Sequence, residues 1–81
     1  MLDKKTLGNI IKSKRREKNM TQYLLSEATG LSRNYISDIE NGRYMPSTES
    51  LSKIAVCIDL DLNILKMTEI QVVELVGDYN A

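Results

Sequence analysis

The 81-residue sequence has no His, no Trp and no Phe, and only one Cys and one Pro. Each absence removes a class of function. Without His, the usual general base and most zinc sites are missing. Cys57 has no second cysteine to pair with, so no disulfide closes within the chain, and a lone thiol fits a reducing compartment. No apolar run approaches the roughly 18 residues of a membrane span. Met1-Leu2-Asp3-Lys4-Lys5 leads into no apolar signal region, so the expected location is the cytoplasm. Asp59-Leu60-Asp61-Leu62-Asn63 looks like the start of a calcium loop, but Ile64 and Ile70 stand where that loop needs Gly and Glu. No nucleophile stands beside a base. Neither metal, cofactor, small-molecule ligand nor enzyme activity is expected. This length fits one small domain, whose thin core gains from association.

Net charge is also absent, with 11 basic and 11 acidic residues, but only as a sum. Up to Pro46, nine basic residues face five acidic ones; beyond it, two basic residues face six acidic ones. The asymmetry suggests one basic face and a different task for the other end, although a solvated helix face would give the same pattern.

What is present is a series of short helices with a stop signal at each joint. Asp3 can cap a first helix stapled by Leu2 and Leu7, with Leu7, Ile10 and Ile11 on its buried face. Asn19 suits a left-handed C-terminal stop. Thr21 caps a second helix that ends at Gly30, and Ser32 caps a third that ends at Asn41-Gly42. Pro46-Ser47 opens a fourth carrying Leu51, Ile54, Ala55 and Ile58, and Asp61 caps a short fifth with Leu62 and Leu65. Thr68-Glu69-Ile70-Gln71 has capping-box spacing and predicts a sixth helix over 69–77. No stretch alternates with period two, so the expected fold is all-α.

The second and third helices, joined by Thr29-Gly30-Leu31-Ser32, have the layout of a helix-turn-helix, although spacing alone also fits a generic helical hairpin. Thr21-Gln22, Gly30-Leu31-Ser32, Tyr35-Ile36-Ser37-Asp38-Ile39-Glu40-Asn41-Gly42 and Pro46 fall in one register. In that register the chain resembles the Cro/C1-type (Xre) DNA-binding domain that lambda-type phage repressors share. The resemblance spans about residues 7–66. It implies a five-helix domain over 1–66 whose third helix lies in the DNA major groove, with 67–81 as an added sixth helix and tail.

The same resemblance assigns roles. Arg33 and Asn34 match base-reading positions, and their side chains suit guanine and adenine edges. Ser37 and Asp38 share their face; Asp38 can accept from cytosine N4 or orient Arg33 or Arg43. Gln22 and Ser32 sit at helix N-termini, which favour phosphate. Asn41, Arg43 and Tyr44 follow the recognition helix along the sugar–phosphate backbone. Tyr35 has two readings, a phosphate contact through its hydroxyl or packing over the first helix. Arg15 is expected to pair with Glu40 and also to approach phosphate. Lys12, Lys14, Arg16 and Lys18 either flank the DNA or solvate the first helix.

Several residues depart from the family pattern. Asn19 replaces Gly, Lys14 replaces Leu, Ser26 replaces Ala, and Asp59 stands where Gly often ends the fourth helix. Tyr23-Leu24 replaces an acidic pair and leaves two apolar side chains near the DNA-facing end. At the other end, Ile64, Met67, Ile70, Val73 and Val76 form an apolar series expected to face a second copy across a two-fold axis, or else to fold back on the core.

The expected function is a sequence-specific transcription regulator, most simply a repressor of phage, mobile-element or bacterial origin. It would bind a pseudo-palindromic site on double-stranded DNA as a homodimer in the nucleoid. Two alternatives keep the fold: an antitoxin or adaptor whose main task is a protein partner, and a restriction–modification controller.

Overall fold

The computed structural model describes residues 3–63. Four helices follow one another: α1 (Lys4–Glu17), α2 (Gln22–Thr29), α3 (Arg33–Glu40) and α4 (Thr48–Ile58). Among the described residues there is no strand. The sixth helix expected over 69–77, the boundary at residue 66 and the apolar series from Ile64 to Val76 lie outside the described residues. So does most of the fifth helix; at its expected start, Asp61 Oδ1 accepts from the Asn63 N–H at 2.9 Å.

Each helix begins where a side chain can take an otherwise unpaired N–H. Asp3 accepts from Thr6 N, Thr21 from Leu24 N, Ser32 from Tyr35 N and Ser47 from Ser50 N, all at 2.7–3.1 Å. Each helix is followed by a residue with positive φ. Gly30 and Gly42 have φ 75° and have no Cβ to clash, whereas Asn19 (φ 58°) and Asp59 (φ 57°) adopt the same conformation with side chains. Asn19 N donates to Arg16 O and Met20 N to Arg15 O, so Asn19 closes α1 with the paired hydrogen bonds that Gly more often serves.

The core is drawn from all four helices and the residues after them. Leu7, Ile11, Leu25, Ile36, Ile54 and Ile58 are fully buried, with Ile39, Leu51, Ala55 and Leu60 close to it. Burying each large aliphatic side chain is worth about 1.5–3 kcal/mol over leaving it in water. Ile10, expected in the core with Leu7 and Ile11, is only half-buried at its edge.

One contact fixes how α1 crosses α3. Gly8 lies directly against the carbonyl oxygens of Ile39 and Glu40, where an added Cβ would stand 2.9 Å from Glu40 O and closer still to Ile39 O. No other residue type fits between the two backbones without moving one of them. The last turn of α3 is thereby held against α1.

Candidate nucleic-acid interface

The surface of α3 divides by helical spacing. Ile36, Ile39 and Glu40 point inward and are buried. Arg33 and Asn34 are exposed, Ser37 and Asp38 are half-exposed, and Asn41 is exposed, one turn after another on the opposite side. Ser32 caps this helix, its Oγ accepting from the Tyr35 N–H. The side chains of Arg33 and Asn34 make no hydrogen bond among the described residues, so their donors face outward at the first turn of the helix.

Behind that stripe is a buried polar network. Arg15 Nε donates to Glu40 Oε2 at 2.7 Å, and its Nη2 donates to Oε1 at 2.9 Å. Arg15 Nη1 donates to Met20 O at 2.6 Å, and Gln22 Nε2 donates to Glu40 Oε1 at 3.1 Å. The side chains of Arg15 and Glu40 are 9% and 1% exposed. Donating to the Glu40 carboxylate raises the pKa of the Arg15 guanidinium above its ordinary value, so the cation is held charged despite burial. The network joins the end of α1, the start of α2 and the end of α3. Arg15 gives three of its five N–H groups to Glu40 and Met20 and so braces α3 against α1. One amide N–H of Gln22 is likewise given to Glu40.

The segment after α3 is clasped to the helix. Gly42 N donates to Ile39 O at 3.1 Å and Arg43 N to Asp38 O at 2.9 Å, the two bonds of a Schellman closure. Asn41 Nδ2 donates to Ser37 Oγ at 3.3 Å, and Arg43 Nη1 donates to Asp38 Oδ1 at 3.0 Å. Of the two partners open to Asp38, the structure thus pairs it with Arg43. The Tyr35 ring packs on the core while its hydroxyl accepts from Ser47 N at 3.4 Å, and it meets Tyr44 edge to face at 5.8 Å. Tyr44 itself is exposed.

Sequence reasoning missed three contributors: Gly8, the Met20 carbonyl, and Thr29. Thr29 is buried; its hydroxyl donates to Leu25 O at 2.8 Å and accepts from Leu31 N at 3.2 Å, which shapes the turn between α2 and α3. A lone Gly inside an otherwise helical pattern was the available signal for the first. Of the four flanking cations, Lys14 pairs with Glu17 at 3.8 Å and Lys18 with Asp59 at 3.6 Å, both exposed pairs of small worth. Among the described residues, no group of three or more His, Cys, Asp or Glu is gathered for a metal. No described helix is long and apolar enough to cross a membrane.

This arrangement, two short helices across a Gly turn with the second presenting a polar stripe, defines a class. Residues 11–65 match the helix-turn-helix family model, and the chain belongs to that family in its Cro/C1 (Xre) form. Among its relatives is the ImmF control region 10 kDa protein of Bacillus phage phi105, 65% identical over 74 residues, with 91% of this chain and 82% of that protein covered. The immunity repressor protein of the same phage is 36% identical over 76 residues, 94% of this chain. The transcriptional regulator ClgR of Mycobacterium tuberculosis is 31% identical over 64 residues, 79% of this chain. The chain spans only 53% and 57% of the lengths of these last two proteins. The crystal structure of ClgR from Corynebacterium glutamicum superposes with a TM-score of 0.74 at 25% identity, covering 99% of this chain and 85% of that one.

Proposed function

We propose that this chain is a DNA-binding transcription regulator that reads a specific site through the outer face of α3, and that it acts as a repressor. The observation that carries the reading is the division of α3 into a packed inner face and an outward stripe of Arg33, Asn34, Ser37 and Asp38. Arg33 and Asn34 have the donor geometry for purine edges in the major groove, and they stand in the first turn, which recognition helices present to bases. Gln22, Ser32, Asn41, Arg43 and Tyr44 border the stripe and would meet the phosphates, with the N-termini of α2 and α3 adding their amide dipoles. Tyr35 can join them without leaving Ser47, because its hydroxyl accepts from Ser47 N and keeps its own O–H to donate. Two phage control proteins among the relatives, one of them an immunity repressor, support the regulatory role.

The dimer rests on the sequence. Ile64, Met67, Ile70, Val73 and Val76 form a series at spacing three whose simplest use is a two-fold contact with a second copy. In this reading residues 1–66 read DNA and 67–81 join two copies. Two half-sites then share the work, which a small neutral chain with few phosphate contacts needs. Selection of bound duplexes from a random pool tests the whole reading. It should return a half-site repeated as an inverted pair at one fixed spacing. Recovery of unrelated sequences would refute it.

One observation favours a second role as a partner-binding adaptor. Tyr23 and Leu24 are 58% and 48% exposed at the start of α2. A stable complex with another protein that Leu24→Asp abolishes, with DNA binding intact, would support that role.

A further inference from the structure

We propose that Asp38 and Arg43 form an exchangeable ion pair that makes one phosphate contact conditional on one base contact. The inference rests on the DNA-reading function proposed above. In the free protein Arg43 is tied to Asp38 twice, by its main chain (Arg43 N to Asp38 O, 2.9 Å) and by its guanidinium (Nη1 to Oδ1, 3.0 Å). The main-chain tie is firm. Gly42 turns at φ 75°, and a Cβ there would stand 3.0 Å from Lys5 Cα, so the loop has one close-fitting path against α1. The side-chain tie is loose. Arg43 is 66% and Asp38 35% exposed, and an ion pair so open to water and salt is readily exchanged for another.

The two partners face different parts of a duplex. Asp38 is on the base-reading stripe, where a carboxylate can accept only from a donor such as cytosine N4. Arg43 is beyond the helix end, where it can reach phosphate. Unpaired, the Asp38 carboxylate would be repelled by the duplex; paired with Arg43 it is neutralised, and the guanidinium is withheld from phosphate. When cytosine takes over Asp38, Arg43 is released to a neighbouring phosphate. On other sequences Arg43 stays on Asp38 and that contact is not made. A contact that ordinarily carries no sequence information thereby acquires some.

Salt dependence counts the phosphate contacts. Each adds about 0.9 to the slope of log K against log salt. The full chain, Arg43→Gln, Asp38→Asn and the double variant are titrated with the selected duplex and with random duplex. Arg43→Gln should flatten the slope by about 0.9 per subunit on the selected duplex and leave the random-duplex slope unchanged. Asp38→Asn should steepen the random-duplex slope by about the same 0.9, and the double variant should undo this. Equal flattening of both slopes by Arg43→Gln, or none in either, would overturn the exchange. Arg43→Gln alone separates these outcomes if Asp38→Asn folds poorly. If the wild-type chain selects no site at all, it is the DNA-reading function that fails.

Discussion

The two faces of α3 are built by opposite rules. The inner face holds Ile36, Ile39 and Glu40, each fixed by what it touches: core side chains, the Arg15 guanidinium, and Gly8 pressed against the last carbonyls. The outer face holds Arg33 and Asn34, which touch nothing that would fix them, and Ser37 and Asp38, held only by exposed contacts. The inner face holds the helix against α1 and the core. The outer face leaves donors and acceptors to be satisfied by something outside the chain. With the proposed function, stability and recognition fall on opposite sides of one eight-residue helix, and mutations can test the separation.

The largest effect should come from breaking the buried network. Arg15→Ala leaves Glu40, with its nearly inaccessible carboxylate, only Gln22 as a partner, and should destabilise by about 3–5 kcal/mol in denaturant unfolding. Replacing both residues with apolar ones, Arg15→Met with Glu40→Leu, should cost much less than the sum of the single changes, because no charge is orphaned. Gly8→Ala comes next. Its Cβ would push α1 off the end of α3, at about 1–3 kcal/mol, and would also weaken DNA binding because the recognition helix shifts.

Arg33→Ala should do the reverse. Its unfolding free energy should stay within about 0.5 kcal/mol of wild type, while specific binding falls by about 1–3 kcal/mol and one base position becomes degenerate. A large stability loss in Arg33→Ala would abolish the distinction between the two faces.

The smallest effect lies outside both faces, at Asp3, the N-cap of α1. The N–H of Thr6 donates to its carboxylate and lowers its pKa from the ordinary value. Stability from this cap is therefore present above the unfolded carboxylate value and is lost as the pH falls through the lowered folded value. The Asp3 carboxyl resonance should titrate below the usual Asp range. Asp3→Asn, which still caps, should abolish that titration and leave DNA binding unchanged.

Much of this fold can be read from the residues themselves because it is punctuated locally. Asp3, Thr21, Ser32 and Ser47 announce helix starts through chemistry confined to three residues. Asn19, Gly30 and Gly42 announce the ends in the same way. The candidate interface is legible to the same depth, because the outward stripe follows from the period of α3 once Ile36 and Ile39 are assigned inward. What is not legible depends on residues far apart in the chain. Nothing around Gly8 says that it meets carbonyls more than thirty positions away.

The central claim is that the outer face of α3 selects DNA sequence while the inner face only holds it in place. The most direct measurement is site selection from a random pool with the wild-type chain and with Arg33→Ala, alongside unfolding curves for both. The expected result is an inverted-repeat site for the wild type, the same site with one degenerate position in each half for Arg33→Ala, and superimposable unfolding curves. An unchanged ratio of specific to random binding in a folded Arg33→Ala protein would contradict the claim.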